Sequence, residues 1–215
     1  MLTKRLQKIV SMVPRCHIVA DVGCDHGYIG ISLLTDDVAD VVVFVDISHP
    51  SLVKAQQNCP YDKLDRAMFY RRDGLGDIKC NCAVIAGMGG LETISILNGA
   101  HKLPQYLVLQ PMRNQEDVRK YLCQNYNIIS DEKFFDGKFY DLIFAEKSDS
   151  PTTLNKMQLT FGKTNLTNPT QDFVDFLHNE QTKIQNILHG CPSAPLHEYL
   201  QMVEEALCLI QEVQQ

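Results

Sequence analysis

The chain has 215 residues, 45% of them hydrophobic, and its 20 Lys and Arg against 26 Asp and Glu leave a net charge of −6. That length holds one full-sized domain and an appendage, and the apolar content suffices for a buried core. No stretch approaches the roughly 18 uninterrupted apolar residues of a membrane span, and the start MLTKRLQKIVSMVPRC lacks the features of a secretory signal, so a cytoplasmic protein with no membrane partner is expected.

Leu2, Leu6, Ile9 and Val13 recur at helical spacing, and Pro14 ends that first helix. Lys4, Arg5 and Lys8 fall off the stripe, as a solvated face or a contact surface for RNA phosphates. From residue 18 seven short apolar runs follow: IVADV, VVVFVD, AMFYRRD, CAVIAGMGG, YLVLQP, NIISDEKFF and FYDLIFAEK. Nearly continuous apolar runs suit strands covered on both faces, and their alternation with helix-length segments predicts an α/β fold with a mostly parallel sheet. Asp136-Gly137 between the last two runs is a hairpin-turn signal, so the sheet should end in an antiparallel pair.

Residues 1–150 make up this α/β domain with its N-terminal helix. Residues 151–168 are polar and read as a linker. Asn168 as N-cap with Pro169 at the first helical position predicts a helix that Gly190 stops. Leu196, Leu200, Val203, Leu207 and Ile210 then form one apolar stripe, so residues 169–215 read as an antiparallel helical hairpin, coiled-coil-like.

The eight cysteines are scattered, and a chain of this size needs no staples, so reduced thiols are expected; Cys80 and Cys82 have no partner pair at zinc-ligand spacing, and no metal is expected. Residues 1–150 carry 17 Lys and Arg against 19 Asp and Glu, net −2, and residues 151–215 carry 3 against 7, net −4. Within the larger part the cations cluster, at Lys4, Arg5, Lys8 and Arg15, at Arg71 and Arg72, and at Arg113, Arg119 and Lys120. Local basic patches are therefore compatible with the acidic total.

In an open α/β sheet, ligands sit at the carboxyl ends of the strands. The first strand runs into Asp21-Val22-Gly23-Cys24-Asp25-His26-Gly27. A dinucleotide loop would read G-x-G-x-x-G; here an acid precedes the first glycine and the middle glycine is missing. That start suits a cationic ligand without phosphates, such as S-adenosylmethionine, although an ordinary strand-to-helix turn would read the same. The second strand ends in Asp46 and Ile47, where an acid can accept from both ribose hydroxyls. The third end offers Asp73 and Gly74 for the exocyclic amine of an adenine. The fourth is Ala86-Gly87-Met88-Gly89-Gly90, whose glycines permit close backbone approach or a tight turn.

The stretches KRLQKIVSMVP, ADVGCDHGYIGISLL, RRDGLGDI, VIAGMGG, LVLQPMRNQEDVRKYL and GKFYDLIFAE together resemble the bacterial tRNA (adenine-22)-N1-methyltransferases, a family of class I S-adenosylmethionine-dependent enzymes. The resemblance covers residues 1–147 and implies a Rossmann-like fold with a seven-stranded sheet, a tRNA substrate, and methyl transfer to N1 of an adenine in the D-arm, leaving S-adenosylhomocysteine. It departs from the family's Asp-His-Ala-Tyr-Leu-Pro at Gly27, Ile29 and Gly30, and from Gly-Pro at His49-Pro50. The cofactor residues are then Asp21, Gly23, Cys24, Asp25, His26, Asp46, Ile47, Asp73, Gly74, Ala86, Gly87 and Met88.

Because the sulfonium is a good leaving group and N1 carries an in-plane lone pair, alignment is the main demand. Asp25 and His26 are candidates for the active site, against an aspartate that caps the next helix; Tyr28 and Tyr140 are candidates for stacking on the target base, against core packing. Gly87, Met88, Gln110 and Pro111 complete the catalytic set, and Lys4, Arg5, Lys8, Arg113, Arg119 and Lys120 the RNA contacts. No obligate protein partner is evident, and a monomer or weak dimer is expected. Rival readings are a methyltransferase of the same fold acting on another RNA position or a small molecule, a nicotinamide-dependent oxidoreductase, and a binding-only relative.

Overall fold

A computed structural model describes residues 2–191 and 193–213. Helix α1 (Lys4–Met12), capped by the Thr3 hydroxyl, leads into β1 (Cys16–Val22), α2 (Tyr28–Thr35), β2 (Ala39–Asp46) and α3 (His49–Asn58). A 3-10 turn at Tyr61–Arg66 precedes β3 (Ala67–Arg71), and β4 (Cys82–Ala86), α4 (Gly90–Asn98), β5 (Tyr106–Gln110) and α5 (Gln115–Leu122) follow. The hairpin of β6 (Tyr126–Phe135) and β7 (Phe139–Lys147) turns at Gly137, whose φ of 75° is the left-handed conformation the turn requires.

The seven strands lie in the order β3-β2-β1-β4-β5-β7-β6. All pairings are parallel except those of β7, which runs antiparallel between β5 and β6. The strand order reverses between β1 and β4, which is where such sheets open a crevice. One apolar cluster packs α1, α2 and α3 against one sheet face through Ile9, Leu33, Phe44 and Leu52, and a second packs α4 and α5 against the other through Ile96, Leu97, Val118 and Leu122.

The polar segment after residue 150 is more ordered than its composition suggests. It forms α6 (Lys156–Phe161), with a capping box between Asn155 and Gln158, and α7 (Lys163–Thr167). Phe161 and Leu166 are buried in a third cluster with α8 (Gln171–Gly190) and α9 (Ala194–Val213). The helix expected at Asn168-Pro169 starts two residues later, because Thr170 takes the N-cap and accepts from the Phe173 N–H. Gly190 does end α8, and Val203, Leu207 and Ile210 of the α9 stripe are buried against it.

Arg119, expected to meet RNA phosphates, is instead fully buried. Its Nε and Nη2 donate to both oxygens of Asp131 at 2.7 and 2.9 Å, Nη2 also reaches Asp141 at 2.7 Å, and Nη1 reaches the carbonyls of Leu159 and Thr160. Lys133 Nζ pairs with the other Asp141 oxygen at 2.7 Å. Two cations thus balance two carboxylates and fasten the β6–β7 hairpin to α5 and α6. Sequence placed Arg119 beside the exposed Lys120, but it lies on the α5 face that carries Val118 and Leu122 inward.

Candidate functional site

At the carboxyl edge of the sheet, on the β1–β4 crevice, lies a cavity of about 460 Å³. Its wall takes residues from the ends of β1, β2, β3 and β4, and includes Asp21, Gly23, Cys24, Asp25, His26, Asp46, Ile47, Asp73, Gly74, Ala86, Gly87 and Met88. All the residues assigned from sequence to the cofactor therefore come together in one place. Arg5, Leu6, Arg72, Glu92 and Ile96 also line it and were missed as cavity residues. Arg5 and Leu6 come from α1, and Glu92 and Ile96 lie one turn apart on α4; only the packing of those helices reveals them.

Asp21 closes the floor. It is 3% exposed, and its Oδ2 accepts from the Gly30 N–H at 2.9 Å, tying the end of β1 to the first turn of α2. Burial raises its carboxyl to about 7; the Gly30 N–H opposes the shift and Asp46 adds to it. A Cβ on Gly30 would lie 2.4 Å from Phe44 Cε1, and a proline there would remove the donor. Glycine at position 30 thus suits both the Phe44 ring on β2 and the strap to Asp21.

The loop after Asp21 is held by backbone bonds from Gly23 and Cys24 to the Val45 carbonyl, and Gly23 has φ 69°. Asp25 has φ 46°, left-handed for a residue with a side chain, and its N–H donates to Asp46 Oδ2 at 3.1 Å. Asp46 Oδ1 accepts from the Ser48 N–H at 2.8 Å. Asp25 does not cap α2: the N-cap is Gly27, with no side-chain bond. Its carboxylate takes His26 Nδ1 at 2.6 Å, and the His26 ring stacks on Tyr28 at 5.5 Å between centroids. Burial pushes the Cys24 thiol well above its ordinary range, with Asp21 and Asp46 reinforcing it, so Cys24 is a neutral wall atom and no nucleophile.

Gly87, at φ 80°, has open space where a Cβ would point, and its N–H donates to the Gln110 carbonyl at 3.1 Å. Gln110 itself is 1% exposed at the end of β5, and Pro111 beside it is buried. Because β7 runs antiparallel, its early residue Tyr140 stands at the same edge. Arg5 Nη1 donates to Gln110 Oε1 at 2.5 Å, and the Arg5 guanidinium lies 5.2 Å from the Tyr140 ring centroid.

Of the other basic residues, Lys4 and Arg113 are exposed, Lys8 pairs with Glu132 at 2.7 Å and Lys120 with Glu116 at 2.7 Å. Among the described residues no cluster of three or more His, Cys, Asp or Glu is placed to hold a metal, and no helix is long and apolar enough to cross a membrane.

Residues 2–143 match the family model described as a methyltransferase domain. The chain belongs to that family. A curated relative, the tRNA (adenine(22)-N(1))-methyltransferase of Bacillus subtilis strain 168, is 29% identical over 170 residues, 75% of this chain and 71% of that protein. A Streptococcus agalactiae structure of the NADB-Rossmann superfamily shares 27% identity with this methyltransferase at a TM-score of 0.83, covering 100% of this chain and 98% of that one. The fold also matches M. capricolum TrmK in complex with S-adenosyl-homocysteine, at a TM-score of 0.87 and 20% identity over 98% of this chain and 99% of that one.

The cavity fits a compact cation without phosphates. Carboxylates of Asp21, Asp25, Asp46, Asp73 and Glu92 line it against Arg5 and Arg72, and Arg72 is already paired with Asp77. Such a balance favours a sulfonium and an ammonium and disfavours a pyrophosphate. Its volume lies in the range that encloses a ligand of this size.

Proposed function

We propose that this methyltransferase transfers the methyl group of S-adenosylmethionine to N1 of adenine 22 in the D-arm of tRNA. The observation that carries this is the cavity in which acidic side chains from three successive strand ends converge with Glu92 of α4 and the glycine-rich end of β4, in a chain related to the Bacillus subtilis enzyme along most of its length. When bound, S-adenosylmethionine supplies an electrophilic methyl on a sulfonium. Asp21 and Gly23 hold its methionine end, Asp46 the ribose, and Asp73 with Gly74 the adenine.

The chain's remaining work is alignment and charge. Gly87 leaves open space beside the end of β5, where the methyl and the acceptor nitrogen can meet. Asp25 holds His26 by Nδ1, which leaves Nε2 as the nitrogen available to a ligand. Methylated adenine carries a positive charge, and His26 Nε2 takes the proton its exocyclic amine can then release. In folded tRNA the N1 edge is engaged, so the base must leave its stack; Tyr28 lines the cavity, and Tyr140 lies outside its wall, against the cavity residue Arg5, as a second aromatic surface. Lys4 and Arg113, exposed at this end, meet the phosphates.

The test is transfer of a labelled methyl from S-adenosylmethionine to unmodified tRNA transcripts, with S-adenosylhomocysteine and NAD compared as ligands. Label in tRNA but not in free nucleosides, and binding of S-adenosylhomocysteine alone, are expected. Binding of NAD, or label only in small molecules, would overturn the reading.

A further inference from the structure

We infer that the space between Tyr140 and Gln110 is the slot for the target base, and that the Arg5 side chain occupies it as a place-holder that the base displaces. The inference rests on the methyl-transfer reading above. Three observations converge on it. First, Gln110 adjoins open space: its carbonyl accepts from the Gly87 N–H, and a Cβ built on Gly87 would meet nothing within 4 Å among the described residues. Second, the reversed direction of β7 brings Tyr140 to the same edge, beside the end of β5. Third, the planar Arg5 guanidinium faces the Tyr140 ring at 5.2 Å and donates to Gln110 Oε1 at 2.5 Å while lining the cavity.

Those two contacts are the ones an extruded adenine needs. A flat base stacks on an aromatic ring, and a glutamine amide reads the N6 and N7 edge of adenine by accepting from one and donating to the other. Bound by that edge, adenine leaves N1 free on the adjoining Watson–Crick edge, which can face the open space at Gly87. Arg5 also fixes which way the amide points: with Oε1 facing a guanidinium, the reversed orientation would set N–H against N–H. Among the described residues Gln110 Nε2 meanwhile meets only the Met112 thioether at 3.2 Å, a weak acceptor that a ring nitrogen can replace.

Arg5 is held for this duty. Its backbone N–H donates to Asp136 Oδ2 at 3.0 Å in the β6–β7 turn, which anchors the root of the side chain whatever its tip does. Among the described residues the Arg5 guanidinium makes no ion pair, so leaving the slot breaks one hydrogen bond and a cation–π contact. Lys138, 5.3 Å from the Tyr140 centroid, keeps a cation at the ring after Arg5 leaves, and the displaced guanidinium meets the phosphate of the incoming nucleotide.

The experiment measures adenosine and inosine binding by saturation-transfer NMR with the cofactor pocket filled by excess S-adenosylhomocysteine, in the wild type, Arg5→Ala and Arg5→Ala/Tyr140→Leu. Removing the place-holder should strengthen adenosine binding on the order of tenfold, because the slot no longer has to be vacated. The gain should be smaller for inosine, whose O6 cannot donate to Gln110, and should vanish in the double variant. In the transfer assay Arg5→Ala should raise the KM for tRNA while adenosine turnover becomes measurable, opposite directions that a misfolded variant cannot produce. Equal adenosine binding in wild type and Arg5→Ala, or an adenosine gain that survives Tyr140→Leu, overturns the slot. Wild type that fails to bind S-adenosylhomocysteine would instead defeat the methyl-transfer reading.

Discussion

If Asp21 holds the methionine end of the cofactor as proposed, cofactor affinity should depend on pH. Its carboxyl is raised to about 7 by burial, against an ordinary value of 3.8. The folded protein keeps a proton that the unfolded chain has lost between those values. Asp21 therefore supports the free fold fully below about pH 4, and that support is lost as pH rises toward about 7, a span of about 4 kcal/mol at most. An ammonium beside Asp21 reverses the balance by favouring the ionised form. The ionised fraction climbs from about 0.1 at pH 6 to about 0.75 at pH 7.5, so affinity for S-adenosylhomocysteine should rise about eightfold across that window. Calorimetry at pH 6 in buffers of different ionisation enthalpy should also detect release of nearly one proton per ligand. In Asp21→Asn, which can still accept from Gly30, affinity should be low and flat. A wild-type affinity that is flat from pH 6 to 7.5, or an Asp21→Asn variant that keeps the same slope, would refute the assignment of Asp21 to the ammonium.

Other consequences follow from the same geometry. Arg119→Met leaves Asp131 and Asp141 buried without their guanidinium and should cost about 3–5 kcal/mol in chemical denaturation, whereas Lys120→Met, at an exposed pair, should leave the denaturation midpoint almost unchanged. Gly30→Ala drives a methyl into the Phe44 ring and should destabilise by about 1–3 kcal/mol, partly recovered by Phe44→Leu, in thermal melts of both variants. Gly23→Ala strains a left-handed residue and pushes the Met88 methyl, 1.9 Å from the new Cβ; S-adenosylhomocysteine binding should weaken at least about tenfold by calorimetry, with the melting temperature changed far less.

The sheet was legible because its strands are buried on both faces and read as unbroken apolar runs, and the cavity because acids and glycines stood where those runs stop. The edge position of the hairpin was legible from Asp136-Gly137, but the place of β7 between β5 and β6 depends on pairing across the sheet, which no local pattern carries. Arg119 and Lys120 are adjacent in sequence, and only the tilt of α5 separates a buried ion network from a solvated one. The short helices α6 and α7 were missed because each buries a single large residue, Phe161 or Leu166, too few to make a stripe. Arg5 falls off the apolar stripe of α1 in sequence, and its reach to Gln110 appears only once α1 is packed on the sheet.

The site of methylation distinguishes this enzyme from every rival of the same fold. Unmodified tRNA transcripts carrying adenine or guanine at position 22 should be incubated with the protein and S-adenosylmethionine, and the modified nucleoside identified and mapped by mass spectrometry. N1-methyladenosine at position 22 is expected in the first transcript and no methyl in the second. Methyl at another position, or equal transfer to both transcripts, would contradict that assignment.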